Sequence, residues 1–165
     1  MRLRSRSLRR GDGGQSLVEF GLVAPVLLLV LTGIFSFGII LSQYEVLTDS
    51  VSAGARAFAL SRLQTTPALA VSDPCAYAIS ILEGAAPNLT SSSMNFTIVY
   101  TDNSGTTPSV SNYTTTCTDR ASTGSSKMHS EDQVQITATY PVTPLVFSRA
   151  TRTLTMSATA TELVN

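Results

Sequence analysis

Three groups of residues in this chain have types and spacings that could do chemistry. The first is a lone carboxylate, Glu19, at the mouth of an apolar run. From Phe20 to Leu41 the chain reads FGLVAPVLLLVLTGIFSFGIIL, 22 residues with no Asp, Glu, Lys or Arg. A charge beside such a run needs a partner, because burying it in a bilayer centre costs on the order of 3 kcal/mol. The second group is Cys75 and Cys117, the two cysteines. They offer one disulfide, two free thiols or part of a metal site; with one histidine and no CxxC, metal-ligand spacing is lacking. The third is His129-Ser130-Glu131-Asp132, where an imidazole, a hydroxyl and a carboxylate stand together. A catalytic triad needs convergence in space rather than adjacency in sequence. The stretch GSSKMHSED reads as a solvated loop, so we expect no catalytic residues, no metal, no cofactor and no enzyme activity. No Gly-rich phosphate loop follows a strand.

The elements that must position these groups follow from length, charge and periodicity. At about 1.5 Å per residue, the apolar run spans roughly 33 Å as a helix, enough for a bilayer core of about 30 Å. Five of the eleven basic residues, Arg2, Arg4, Arg6, Arg9 and Arg10, precede it. By the positive-inside rule they hold the N-terminus in the cytoplasm and send the chain after about residue 42 outward. The rest of the chain is mildly acidic, which argues against nucleic acid as a partner. Both cysteines then lie on the exported side, where disulfides persist. Closing that loop of about 40 residues stabilises by roughly 4 kcal/mol on the chain-entropy model.

Residues 43–63 continue the helix as an amphipathic rod. Leu47, Val51, Gly54 or Ala55, Phe58 and Leu63 share one side, with Glu45, Asp49, Ser52 and Arg56 largely opposite. Pro25 is positioned to kink the rod in its membrane half. Gly33, Gly38 and Gly54 permit close packing against neighbouring helices. After a break at 64–73, Asp73 and Pro74 predict a helix over about 74–83, burying Ala76, Ile79 and Leu82 and ending at Gly84. Alternation predicts strands at 94–100, 133–140 and about 152–163, with 103–131 as a long surface loop. The expected architecture is α+β: one long N-terminal helix, then a small domain with a short helix and about three antiparallel strands.

The stretch GGQSLVEFGLVAPVLLLVLTGIFSFG (residues 13–38) resembles the N-terminus of type IV pilin-like proteins, most closely the TadE-like pseudopilins of the Tad pilus. The pattern is a basic leader ending in Gly, then Glu and an aromatic, then an apolar helix with an early Pro. Here those positions are Gly14, Glu19, Phe20 and Pro25. VSAGARAFA (51–59) and MSATATE (156–162) extend the likeness more weakly. The resemblance implies a leader at 1–14, cut between Gly14 and Gln15 by a prepilin peptidase, a helical part at 15–63 and an exported domain at 64–165. It implies that Glu19, fifth in the mature chain, pairs with the N-terminal amine of an adjoining subunit, beside Phe20. The partners implied are other pilins and pseudopilins, the peptidase, the inner-membrane assembly platform and membrane lipid. The alternative is an uncleaved single-pass anchor presenting a binding domain.

Overall fold

A computed structural model describes residues 13–63, 71–103, 109–120, 128–143 and 153–164. The Arg-rich leader at 1–12, the first part of the break at 64–70 and the start of the last predicted strand lie outside the described residues.

One helix, α1, runs from Gly13 to Ser61 without interruption, 49 residues with Pro25 inside it. Its two halves obey different rules. From Gly14 to Phe35 no side chain is buried, although nearly all are apolar. From Leu47 onward the helix puts Leu47, Val51, Ala55 and Phe58 at full burial, the amphipathic stripe that the spacing predicts. Leu63 departs from the expectation. The helix stops at Ser61, so Leu63 leaves the stripe and is 60% exposed.

The second helix, α2 (Pro74–Ala85), starts as its sequence dictates. Asp73 is extended at φ −139° and its Oδ1 accepts from the Cys75 and Ala76 amides, each at 3.1 Å, the arrangement that satisfies otherwise orphaned first-turn donors. Pro74 occupies the first turn, where it has no donor to lose. The end and the buried face differ from the expectation. Gly84 lies inside the helix, and the chain leaves it through Ala86, whose amide donates to the Glu83 carbonyl. Pro74, Cys75, Ala78 and Leu82 are buried, whereas Ala76 is exposed and Ile79 half-buried. Cys75, Ala78 and Leu82, three and four residues apart, share the buried face on the disulfide-bearing side.

Four strands form one antiparallel sheet: β1 (Asn95–Asp102), β2 (Ser109–Tyr113), β3 (Gln133–Val142) and β4 (Leu154–Leu163), in the order β2-β1-β3-β4. The fourth, β2, corrects the reading of 103–131 as loop. It pairs with β1 through Ile98–Tyr113 and Thr101–Val110, yet its SVSNY sequence is too short and polar to announce a strand. A 3-10 turn at Thr118–Arg120 follows it.

Register explains the core. Ile98, Ile136 and Ala160 lie opposite one another, as do Tyr100, Val134 and Glu162, so even-numbered residues share the inner face. Ile98, Tyr100, Val134, Ile136 and Ala138 are buried there against Leu47, Val51, Phe58 and Leu82. The outer face is threonine and glutamine, with Thr137 bonded to Thr159 at 2.9 Å and Gln135 to Thr161 at 3.3 Å. Pro141 is tolerated because β1 ends its pairing with β3 at Asn95–Thr139, leaving β3 without that neighbour.

Candidate assembly interface

The residues singled out for processing and assembly occupy the bare half of α1. Gly14 and Gln15 form its first turn, and Glu19 and Phe20 follow one turn later, all exposed. The Gln15 amide donates to Glu19 Oε1 at 3.3 Å, a pairing of neighbours four apart on one helix face. Phe20 is 68% exposed, and Leu17, Val18, Leu22, Val26 and Leu29 are exposed with it. A helix apolar all round is normally covered on every side. Within the described residues nothing covers this one. The helix is long and apolar enough to cross a membrane. Pro25 interrupts neither the helical run nor its exposure.

The glycines of α1 divide the same way. A Cβ on Gly33 or Gly38 would meet nothing within 4 Å. One on Gly54 would come to 3.1 Å from the Ala78 carbonyl oxygen and 3.2 Å from Leu82 Cβ. Gly54 is thus spent on packing α1 against α2 within the protomer, whereas Gly33 and Gly38, like Gly14 and Gly21, have open space around them.

The domain that this helix carries is fastened at two places. At the first, Cys75 and Cys117 form a disulfide with their Cα atoms 5.5 Å apart. Asp73, the α2 cap, also accepts from the Cys117 amide at 3.0 Å, so one carboxylate oxygen holds both sides of the staple. Asp73, Cys75 and Cys117 bring potential metal ligands together, but the sulfurs bond each other.

The second fastening is a polar node that the sequence did not announce. Asp132 is fully buried. Its Oδ2 accepts from the Tyr100 hydroxyl and from the His129 amide at 2.6 Å, and its Oδ1 from the Asn103 amide at 2.8 Å. Its carbonyl accepts from the Val164 amide at 2.8 Å, so one residue ties together the ends of β1 and β4 and the turn before β3. In that turn Glu131 adopts a left-handed conformation, φ 77°, with its carbonyl taking the Asn103 side-chain amide at 2.8 Å. The Arg120 guanidinium lies 4.3 Å above the Tyr100 ring and donates to the Tyr113 hydroxyl at 3.1 Å; it lies 3.8 Å from Asp102. Burial, and then the hydrogen bond to Asp132, hold the Tyr100 hydroxyl far above the usual phenol range. Burial opposes the Arg120 charge, but the Tyr113 hydroxyl, Tyr100 and Asp119 more than offset it, leaving its pKa raised.

His129 is where the structure departs from a free loop. Its ring Nδ1 lies 3.6 Å from Asp132 and 3.8 Å from Asp102, and Met128 beside it is buried. Three of these side chains could hold a cation by proximity. Both Asp132 oxygens, however, are already committed to donors, and Arg120 already supplies a cation beside Asp102. The arrangement therefore acts as a clasp. Sequence reasoning missed it because its members come from four separate segments; the only local signal was a charged residue immediately before the alternating strand.

Comparison with known proteins adds one finding. A family model described as TadE-like protein matches residues 14–56. No curated protein and no solved structure matches the chain. The matched segment begins at the Gly of the expected processing site, contains Glu19, Phe20 and Pro25, and ends among the buried stripe of α1, so the similarity to TadE-like proteins lies in residues 14–56.

Proposed function

We propose that this protein is a TadE-like minor pilin, or pseudopilin, that assembles through the first half of α1 and takes part in initiating, priming or tipping a Tad-type pilus. One observation carries the reading. The described residues leave bare an apolar helix of more than 20 residues, with a single carboxylate at its entrance. Such a helix suits both storage in a membrane and packing among other subunits. Glu19 is exposed, and its one side-chain partner among the described residues is neutral Gln15, so an ammonium from another chain can reach it. The two opposite charges offset each other's burial cost. Cleavage between Gly14 and Gln15 by a prepilin peptidase would create that ammonium at Gln15. On this reading the exported domain is a non-catalytic module outside the cytoplasmic membrane. Its partners are other pilins and pseudopilins and the assembly platform.

The test pairs processing with assembly. The mass and N-terminal sequence of protein from its native membrane should begin at Gln15. Glu19→Ala should still insert in the membrane but lose most pilus assembly, counted as fibres per cell. A chain that retains its leader beside an active prepilin peptidase would favour the uncleaved anchor, and unchanged piliation in the variant would remove the role given to Glu19.

A further inference from the structure

The domain meets α1 before the apolar run ends. The first buried side chain of α1 is Ser36, five residues and about 7.5 Å of rise before Leu41, the last residue of the run. At that level the base of the domain touches the helix from two sides. Tyr140, Val142 and Thr143 face Ser36, Ile40 and Gln43 across a cleft of about 310 Å³. Asn88 and Leu89 face Ile39 and Val46 across one of about 170 Å³. On a neighbouring face of the same turns Phe37, Leu41 and Tyr44, spaced four and three apart, stay exposed. Leu154, at the near end of β4, pairs with Val142 at the base, and Glu162, near its far end, meets Arg56 at 3.4 Å. β4 therefore runs along α1, and its far end stands about 24 Å above the base, the rise of the helix from Ile40 to Arg56.

We infer that the base of the domain is immersed in the adjoining lipid leaflet, with Pro141, Thr143 and Leu154 set in the layer between acyl chains and water. This rests on the membrane reading given above, and two features carry it. The first is length. Between Glu19 and Ser36 the uncharged, uncovered stretch is Phe20–Phe35, about 24 Å of helix against a bilayer core of about 30 Å. With Glu19 at one edge of the core, the other edge falls near residue 39, and the contact at Ser36 lies inside it. With Phe35 at the far edge instead, Glu19 is drawn about 6 Å into the core, and the base still occupies the headgroup layer, itself roughly 6 Å thick. Tilting the helix lengthens the path and sinks the base further. The second feature is chemistry. None of the residues that line the two clefts is charged, and the charges of α1 resume only at Glu45. Pro141 and Thr143 are exposed and Leu154 is 54% exposed. Tyr140 is half-buried and Tyr44 partly exposed at the same end, as rings of this type are at membrane interfaces.

The chain contains no tryptophan, so a single introduced one reports its own depth. The experiment uses the full chain reconstituted in phosphatidylcholine vesicles that contain phosphatidylcholine brominated either near the glycerol or at mid-chain, bromine being a contact quencher of indole fluorescence. Leu154→Trp and Pro141→Trp probe the base at two sites, so that the result does not hang on one substitution. Thr161→Trp probes the far end of β4, and Leu27→Trp the middle of the apolar run. Lipid brominated near the glycerol should quench both base variants at least about threefold more than Thr161→Trp, whose site stands well beyond a headgroup layer of roughly 6 Å. Lipid brominated at mid-chain should quench Leu27→Trp. Base variants quenched no more than Thr161→Trp, in vesicles where Leu27→Trp is quenched, would overturn the immersed base alone and mean that the bilayer thins around a short span. Absence of quenching in Leu27→Trp would overturn the membrane reading and the immersed base with it.

Discussion

The two halves of α1 have the same backbone and opposite surroundings. Residues 14–35 are apolar on every side and buried on none. Residues 47–61 are apolar on one side, and α2 and the sheet cover that side. Both halves belong to one uninterrupted helix, with Pro25 lacking a backbone donor in the first, so secondary structure hardly distinguishes them. The distinction lies in which solvent each half was written for. The second half carries Glu45, Asp49 and Arg56 outward and brings its own cover with it, even pairing Arg56 with Glu162 of β4 at 3.4 Å. From Phe20 to Phe35 the first half carries no charge outward. On the function proposed above, the apolar helix that the described residues leave bare is the surface offered to lipid and other subunits.

The contrast is broken most directly with phenylalanines. Phe58→Ala should cost the domain roughly 3–5 kcal/mol in detergent-solubilised protein, read by urea unfolding, because the ring is fully buried and packs on Tyr100 at 6.0 Å between centroids. Phe20→Ala should leave that transition within about 0.5 kcal/mol of the parent. Equal effects would mean that the halves are not energetically separate.

Replacing both cysteines by serine should cost about 4 kcal/mol on the chain-entropy model for a 42-residue separation. The helical signal of the first half should persist in detergent after the domain has melted. Loss of both together would show that the halves melt as one unit.

Glycines sharpen the comparison at smaller scale. Gly33→Ala meets no atom and gains helix propensity, so it should be neutral or stabilising by up to about 1 kcal/mol. At Gly54 the same gain is set against overpacking of about 1–3 kcal/mol on the Ala78 carbonyl and Leu82. Gly54→Ala should therefore lower the unfolding midpoint, and a raised midpoint would show that α2 yields at little cost.

The smallest effect at neutral pH comes from Tyr100. Its folded pKa is raised above the unfolded value of about 10, so its contribution is complete below that pH and is lost as pH climbs above it. Stability of the domain should fall above about pH 10, and Tyr100→Phe should flatten that fall. An unchanged alkaline limb in the variant would remove Tyr100 as its cause.

Much of this was legible in sequence, for reasons that differ by residue. The apolar run, the stripe at Leu47, Val51, Ala55 and Phe58, the Asp73–Pro74 start and the strands around Ile98 and Ile136 are periodic or local signals. Each depends on neighbours within a few residues, and the structure keeps them. The inward side of α2 was misread because Ala76 and Ala78 are chemically alike, and the contacts that mark the inner face, Cys75 with Cys117 and Ala78 and Leu82 beside Gly54, join distant segments. β2 was hidden because SVSNY pairs with β1 by register rather than by its own propensity.

By itself, the sequence determined the long apolar helix, its Glu19 entrance, the amphipathic continuation and the α+β class, because periodicity and charge act over short distances. Tertiary structure alone decided where Gly54 is spent and that Asp132 would be buried beside Tyr100 and clasp the ends of the strands. Those outcomes join residues from segments far apart in the chain, and they depend on distances that no local pattern encodes.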